Sequence, residues 1–285
     1  MLVRDAPSGD PDAADPHIPD SGLEVFLLRR NLRSVFVGGA YVFPGGAVDP
    51  GDRDPDALAL VHGLDAVRAD EQLGIGPDAL RFWVAAIRES FEEGGVLLAR
   101  DATTGQGVDP RLSDRLAPER AAIASGEASF AAMIARESMV LDAGELRPFG
   151  RWITPSPAPR RYDTWFFVAP APSGHAYAHD SDETVASEWM RPGDALARAG
   201  RDEIELIYPT FRSLQALSRF RDTRQLFDAV DRTWRDAEPA LRVVNPGQGW
   251  QLRLPGDVEG TGAVDQEDVD ALAYSTTHRP TAGAR

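Results

Sequence analysis

Lysine is absent from this chain of 285 residues, and all 30 of its basic residues are arginine. Schiff-base chemistry and lysine nucleophiles both need an amine side chain, so both are excluded. Cysteine is absent as well, which excludes disulfides, thiolate zinc sites and cysteine nucleophiles. The five histidines form no HExxH motif, and the sequence therefore predicts no metal site built from histidine.

Long apolar runs are also missing. No segment approaches the ~18 consecutive apolar residues of a membrane-spanning helix, and the first 20 residues lack the apolar core of a signal peptide. Acids outnumber bases by 45 to 30, which gives a formal net charge of −15 and argues against nucleic acid or an anionic membrane as the main partner. An anionic small molecule is not excluded, because it meets a local field. We predict a cytoplasmic protein, and a homo-oligomer remains open.

Strand and helix patterns alternate irregularly along the chain. Strand-like stretches cover residues 22–30, 41–46, 149–155 and 161–170, and a short hairpin is predicted within 241–257. Helical patterns cover residues 127–141, a short segment within 187–200, and 209–235. A strong helix follows Pro77 and Asp78 and is predicted to end at Gly94 and Gly95. This mixed order favours an α/β or α+β sandwich over a regular parallel series.

The strong helix carries the segment "RESFEEGG" at residues 88–95. At about 100° per residue its apolar side chains form one stripe, made of Leu80, Trp83, Val84, Ile87 and Phe91. Glu89, Glu92 and Glu93 share the opposite face at i+3 and i+4 spacing, and Arg88 can reach Glu92. Two interpretations follow for this face. It is a solvated acidic surface, or it holds a hard divalent cation that relieves the repulsion between carboxylates.

The segment "FPGGAVDPGD" at residues 43–52 bears on that choice. Its two glycines, Gly45 and Gly46, follow a proline and predict a turn that allows close backbone approach. Backbone N–H groups in such a turn can contact phosphate. We therefore treat Gly45 and Gly46 as candidate substrate-binding residues.

Together the two segments resemble the Nudix box, whose pattern is G-x5-E-x7-R-E-U-x-E-E-x-G-U with U apolar. Its second half fits residues 88–96, with Ser90 replacing an apolar residue. In the first half Gly46 is followed after five residues by Asp52, where the family has glutamate. The largest departure is that 35 residues separate Asp52 from Arg88, instead of seven.

A branch of the Nudix family carries a long insertion at this point: the coenzyme A diphosphatase-like proteins of animal peroxisomes and their bacterial relatives. Further segments resemble that branch in order, among them "PFGRWITP", "RRYDTWFFVAP" and "ELIYPTFRSLQAL". The resemblance covers roughly residues 22–257. It implies one Nudix domain over 21–257 with insertions at about 53–77 and 100–145. Residues 1–20 are predicted to be a disordered acidic tail, and residues 258–285 a mobile one.

The resemblance implies an α/β/α sandwich with a mixed sheet and a metal-dependent site. Glu89, Glu92 and Glu93 would bind Mg²⁺ or Mn²⁺, and these three residues with Arg88 are the candidate catalytic set. One of the carboxylates, or a glutamate outside the box such as Glu183 or Glu188, would accept a proton from water. The Asp52 position is interpreted as structural.

Substrate choice lies outside the box. Arg30 and Arg33, from "LLRRNLR", and Arg161, which neighbours Arg160, could hold phosphate through their planar forks. The alternative is that these arginines face solvent. The implied activity is hydrolysis of a diphosphate linkage, with coenzyme A or acyl-coenzyme A cleaved to 3′,5′-ADP and a phosphopantetheine product. ADP-ribose, NADH and nucleoside triphosphates remain alternative substrates, and a non-catalytic binding module with the same fold is an alternative of another class.

Overall fold

The computed structural model describes residues 1–6, 22–31, 38–153, 162–173, 184–235, 250–251 and 263–264. Within these ranges the strands are β1 (Leu2–Asp5), β2 (Leu23–Arg30), β3 (Tyr41–Val42), β4 (Val61–His62), β5 (Ala99–Asp101), β6 (Met139–Asp142), β7 (Arg147–Ile153), β8 (Asp163–Pro170), β9 (Thr184–Met190), β10 (Trp250–Gln251) and β11 (Ala263–Val264). The helices are α1 (Pro55–Ala59), α2 (Ala66–Leu73), α3 (Arg81–Gly94), α4 (Pro110–Leu116), α5 (Arg120–Ala124), α6 (Phe130–Arg136), α7 (Pro192–Gly200), α8 (Tyr208–Leu217) and α9 (Thr223–Arg235). Short 3₁₀ turns cover Pro50–Arg53, Ala117–Glu119 and Ala143–Glu145.

Six strands form a mixed sheet around β2. Strand β9 pairs along one edge of β2, antiparallel to it. The other edge is shared: β1 pairs with its first residues and β3 with its last, Leu28 and Arg29. Strand β1 continues the sheet by parallel pairing with β8, which pairs in turn with β7. The turn that contains Gly45 and Gly46 follows β3 and leaves the sheet.

Helices cover both faces of this sheet. Alternate side chains of β2 point to opposite faces, so Phe26 and Leu28 enter one core while Val25 and Leu27 enter the other. Helix α3 packs on the first face through the buried Trp83 and Ile87 among others. Helices α7, α8 and α9 pack on the second, with buried residues that include Ala195, Leu214, Leu226 and Val230. The predicted α/β/α sandwich with a mixed sheet is confirmed.

The two predicted insertions meet in one small sheet. Strand β4, from the first, pairs in parallel with β6, from the second, and β5 pairs antiparallel with β6. The contact is close at two glycines: a Cβ on Gly63, whose φ is +80°, would lie 2.8 Å from the Cα of Gly144. The unit packs on α3, where the indole N–H of Trp83 donates to the carbonyl of Leu146 at 3.3 Å.

Several predictions of local structure need correction. The tail predicted over residues 1–20 is wrong for residues 2–5, because β1 lies inside the main sheet with Leu2 and Val3 buried. Residues 7–21 lie outside the described part. The helix predicted over 127–141 ends at Arg136, and Met139–Asp142 is strand β6 instead.

The paired strands predicted near 149–170 are confirmed as β7 and β8, and the strand-to-helix step near 187–200 as β9 and α7. The predicted 241–257 hairpin differs, because Trp250 pairs with Val264, inside the segment predicted to be mobile. The other residues of that tail lie outside the described part. None of the helices described is long and apolar enough to cross a membrane.

Strand β1 gives a first prediction. Val3 is fully buried and pairs with Val25, so Val3→Asp places an unpaired charge in the core. We expect a loss of about 3 kcal/mol or more in the free energy of unfolding, measured by chemical denaturation. The matched control is Val67→Asp on α2, where the side chain is 68% exposed and the change should stay within about 0.5 kcal/mol. Equal stability of the two variants would contradict the placement of β1.

Candidate active site

Helix α3 is the element that carries most of the candidate residues. It ends as predicted, because Gly95 adopts a left-handed φ of 67° and its N–H donates to the carbonyls of Phe91 and Ser90. The predicted apolar stripe is buried in the first core. Ser90, the polar departure within the box, donates its hydroxyl to the carbonyl of Ala86 at 2.8 Å, so its burial leaves no unpaired group.

The acidic face of α3 is buried too. Glu89 is 8% exposed and Glu92 is 7% exposed, while Glu93 is half-buried. The loop from Phe43 to Arg53 approaches this face. The interpretation of a solvated acidic surface is therefore wrong for Glu89 and Glu92. These two side chains are buried, as is the apolar stripe on the opposite face of α3.

Arg88 lies at the centre of this face. Its Nε and Nη2 donate to the two carboxylate oxygens of Asp52 at 2.9 and 3.0 Å. Its Nη1 donates to both oxygens of Glu92 at 3.1 and 3.0 Å and lies 2.9 Å from Oε1 of Glu89. Nη2 also reaches the carbonyl of Ala47 at 2.8 Å. The predicted contact between Arg88 and Glu92 is confirmed, and one planar guanidinium joins the two halves of the interrupted box.

Asp52 is brought to Arg88 by a short 3₁₀ turn. The backbone N–H of Asp49 donates to Oδ2 of Asp52 at 2.7 Å, which fixes the start of that turn. Asp52 is only 2% exposed, and its two oxygens face the fork of Arg88. These contacts agree with the structural role predicted for this position. The 35 intervening residues leave the site and return to it as α1, β4, α2 and the first part of α3.

The buried carboxylates are under electrostatic stress. Burial, followed by the charge of Glu92, raises the pKa of Glu89 to about 7, although the charge of Arg88 opposes the shift. Burial also raises the pKa of Glu92 above its ordinary value. Asp49, half-exposed and 3.7 Å from Nη1 of Arg88, adds negative charge beside both. The cluster therefore favours an additional positive charge.

The glycine turn touches two of the three glutamates. The N–H of Gly45 donates to Oε2 of Glu93 at 2.7 Å. A Cβ on Gly46 would lie 2.6 to 2.8 Å from the carboxylate atoms of Glu89, so any side chain there would collide with it. The close approach predicted from the sequence is present at Gly46, and a side chain there would displace the carboxylate of Glu89.

The donor set fits a hard divalent cation by its chemistry. Glu89, Glu92 and Glu93 supply oxygen ligands, and the raised pKa of Glu89 reflects a carboxylate that lacks full compensation. As the side chains stand, no group of three acidic or histidine side chains within the described residues is gathered to hold a metal ion. Glu92 is turned to Arg88 and Glu93 to the N–H of Gly45, so ligation requires these side chains to change partners.

The other predicted site residues lie elsewhere. Arg30 ends β2, where its backbone N–H donates to the carbonyl of Ala40 at 3.0 Å. Glu188 lies in β9 rather than in a loop. It pairs in register with Leu27 on the face covered by α7 to α9, away from α3, and accepts from Arg198 at 2.9 Å. Arg33, Arg160, Arg161 and Glu183 lie outside the described residues.

Sequence reasoning missed Arg120, at the start of α5. Its Nε and Nη2 donate to the backbone carbonyl of Glu92 at 2.9 and 2.6 Å. It lies 28 residues beyond Glu92 in an irregular helical segment with several arginines, so no local pattern singles it out. Asp49 was also missed as a member of the cluster, although it stands inside the quoted glycine-rich segment.

Comparison with known proteins points to one family. The NUDT19 Nudix domain matches residues 3–217. The acyl-coenzyme A diphosphatase NUDT19 of Gallus gallus is 31% identical, over 82% of this chain and 72% of that protein. The protein of the same name from Homo sapiens is 29% identical, over 84% of this chain and 72% of that protein. The crystal structure of a NUDIX hydrolase from Alicyclobacillus acidocaldarius is similar at a TM-score of 0.64 and 26% identity, covering 80% of this chain and 93% of that one.

The raised pKa of Glu89 gives a second prediction. A carboxyl group whose pKa is higher in the folded than in the unfolded chain favours folding at low pH, and that stability is lost as pH rises through the range from 4.5 to about 7. In EDTA, the melting temperature of the wild-type protein should therefore fall between pH 5 and pH 8. Glu89→Gln should flatten this slope and give the more stable protein at pH 8.

The control for this experiment is Glu203→Gln. A hydrogen bond from Arg201 lowers the pKa of Glu203, so its titration lies below the tested range and the slope should match that of the wild type. Parallel curves for the wild type and Glu89→Gln would contradict the assignment.

Proposed function

Because this chain belongs to the Nudix hydrolase family, with a domain of the NUDT19 type, we propose that it hydrolyses the diphosphate linkage of coenzyme A or acyl-coenzyme A. The products would be 3′,5′-ADP and phosphopantetheine or its acyl derivative. The observation that carries the proposal is the contact between the two halves of the box. The glycine turn lies against Glu89 and Glu93, and Arg88 joins Asp52 to Glu92.

Glu89, Glu92 and Glu93 are the proposed ligands of a divalent cation, Mg²⁺ or Mn²⁺. Such an ion would neutralise charge on the diphosphate and lower the pKa of a bound water. The support is the donor chemistry: three carboxylates project from the last two turns of one helix, beside a turn that admits close backbone approach. The raised pKa of Glu89 gives the site a reason to prefer a cation over solvent.

Arg88 is proposed to position the site rather than to contact substrate. Its three nitrogens are already directed at Asp52, Glu92, Glu89 and the carbonyl of Ala47. The side chain is only 7% exposed, which leaves little surface for a ligand. Arg88 therefore holds the orientation of the carboxylates, and its loss would release several of them together.

The glycine turn is proposed to face the diphosphate. Gly45 and Gly46 lack side chains that would separate a ligand from the acidic face, and the N–H of Gly45 now satisfies Glu93. If Glu93 turns toward a cation, that N–H becomes available to a phosphate oxygen. The proposed binding step therefore exchanges one internal hydrogen bond for one to substrate.

The adenosine end of the substrate is assigned to the sheet edge where β2 ends. Arg30 lies there, and it is opposite Thr184 at the start of β9, while Ile153 and Asp163 mark the end of β7 and the start of β8. Because β2 and β7 run parallel, their carboxyl ends reach the same edge of the sheet, and Arg33 and Arg161 lie outside the described residues. These three arginines are proposed to bind the 3′-phosphate.

The substrate proposal is tested with a panel of diphosphates. The protein is incubated with Mg²⁺ or Mn²⁺ and coenzyme A, acyl-coenzyme A, ADP-ribose, NADH or deoxynucleoside triphosphates, and products are separated by chromatography. We expect the highest kcat/KM for coenzyme A or its esters, and Glu93→Gln should lower it by ~100-fold or more. Glu145→Gln, at a half-exposed carboxylate, is the matched control.

The outcomes separate three parts of the proposal: the enzymatic function, the substrate and the site assignment. Absence of metal-dependent turnover on every compound would overturn the enzymatic function and favour a binding module. Preference for ADP-ribose, NADH or a triphosphate would overturn the substrate. Undiminished turnover by Glu93→Gln would overturn the site assignment alone.

The glycine turn gives a separate prediction. Gly46→Ala should displace the carboxylate of Glu89 and lower kcat roughly 10- to 100-fold, because small displacements of catalytic groups are costly. Gly51→Ala, in the same loop but with no atom within 4 Å of the added carbon, should retain activity. Wild-type kcat in both variants would show that the close approach is not required.

A further inference from the structure

We propose that Arg120 is a positioning residue for the metal site, acting on the backbone of Glu92 from within the second insertion. The inference rests on the proposed function, because it assumes that Glu92 and Glu93 hold the cation. Its basis is the pair of hydrogen bonds from Nε and Nη2 of Arg120 to the carbonyl of Glu92, at 2.9 and 2.6 Å.

The carbonyl of Glu92 needs such a partner. The last four carbonyls of a helix have no N–H ahead of them within the helix. In α3, the N–H of Gly95 donates to the carbonyls of Phe91 and Ser90, and the N–H of Val96 also donates to Ser90. Arg120 donates to the carbonyl of Glu92, which follows them. The guanidinium thus extends the backbone cap to the turn from which Glu92 and Glu93 project.

Arg88 and Arg120 hold different parts of the same residue. Arg88 binds the carboxylate of Glu92 through Nη1, from the side of the glycine turn. Arg120 binds the main chain of Glu92 from α5. Arg120 therefore limits movement of the Glu92 backbone when the carboxylate exchanges Arg88 for a cation, and a fixed backbone is the preorganisation that this metal ligand requires.

The contact also explains why the insertion lies against the helix. Helix α5 is only Arg120–Ala124, and its Ile123 joins the same core as Phe91 on α3. Packing of Ile123 fixes where α5 starts, and Arg120 is the first residue of that helix. The insertion therefore contributes one directed charged group to the site, and most of its other ion pairs lie at the surface, such as that between Arg115 and Glu137.

If Arg120 acted through its charge alone, its replacement would change the affinity for the cation in the direction opposite to that expected from positioning. A guanidinium near the site repels a divalent ion, so its removal by itself would strengthen metal binding. Positioning predicts weaker binding, because the ligands lose their fixed geometry. Two variants separate these effects: Arg120→Met removes the charge and the hydrogen bonds, and Arg120→Lys keeps the charge but lacks the planar fork.

The experiment measures Mn²⁺ affinity by calorimetry, without substrate, in the wild type, Arg120→Met and Arg120→Lys. The control is Arg115→Met, which removes an exposed arginine from the same insertion. We expect the Kd for Mn²⁺ to rise ~10-fold in Arg120→Met and by a smaller factor in Arg120→Lys, with no change in the control. At saturating Mn²⁺, the KM for substrate should stay unchanged. Circular dichroism and melting curves establish that each variant is folded.

An unchanged Kd in both Arg120 variants, with only a lower melting temperature, would assign Arg120 a structural role. Tighter binding in Arg120→Met with no change in Arg120→Lys would assign it a purely electrostatic one. Because calorimetry needs no turnover, an inactive wild type that still shows the predicted Kd changes would overturn the proposed substrate while supporting the positioning role. A wild type that binds no Mn²⁺ would overturn both.

Discussion

The site depends on one guanidinium placed among buried carboxylates. Arg88 contacts Asp52, Glu89 and Glu92, and without it the approach of these acids to one another would be unfavourable. The same contacts fix the loop that precedes Asp52, since Nη2 also reaches the carbonyl of Ala47. Arg88 offsets only part of the negative charge, because several acids share this one cation. The raised pKa of Glu89 shows that its carboxylate is incompletely neutralised. A site that is incompletely neutralised in this way retains affinity for a further cation.

Much of the site could be predicted from local sequence pattern. The 3.6-residue period identified the buried stripe of α3, the glycine pair identified its end, and i+4 spacing identified the contact between Arg88 and Glu92. The mixed α/β/α sandwich followed from the order of strands and helices together with the family resemblance. In each case the determining residues are neighbours in sequence or lie on one face of one element.

The features that sequence reasoning missed depend on distant partners. Strand β1 is four residues long and reads as part of an acidic tail, yet it is stabilised by pairing with β2 and with β8, more than 150 residues away. The burial of Glu89 and Glu92 depends on a loop that covers a face which looks polar in isolation. Arg120 donates to a backbone carbonyl, which every residue type has, so the identity of residue 92 does not indicate this contact. Glu188 seemed available in sequence, but the alternation of β9 places it on the other face.

The ion pair between Asp52 and Arg88 closes a long segment of the chain. The entropic cost of closing a flexible segment grows only with the logarithm of its length. Lengthening the connection from seven residues to 35 therefore costs about 1.4 kcal/mol by that relation, less than a hydrogen-bonded, buried ion pair can return. The connection between the two halves of the box can therefore be lengthened with little loss in the stability of the contact between Asp52 and Arg88. In this protein the added material folds as α1, β4, α2 and the first part of α3, and its strand β4 pairs with β6 of the second insertion, which supplies Arg120 to α3.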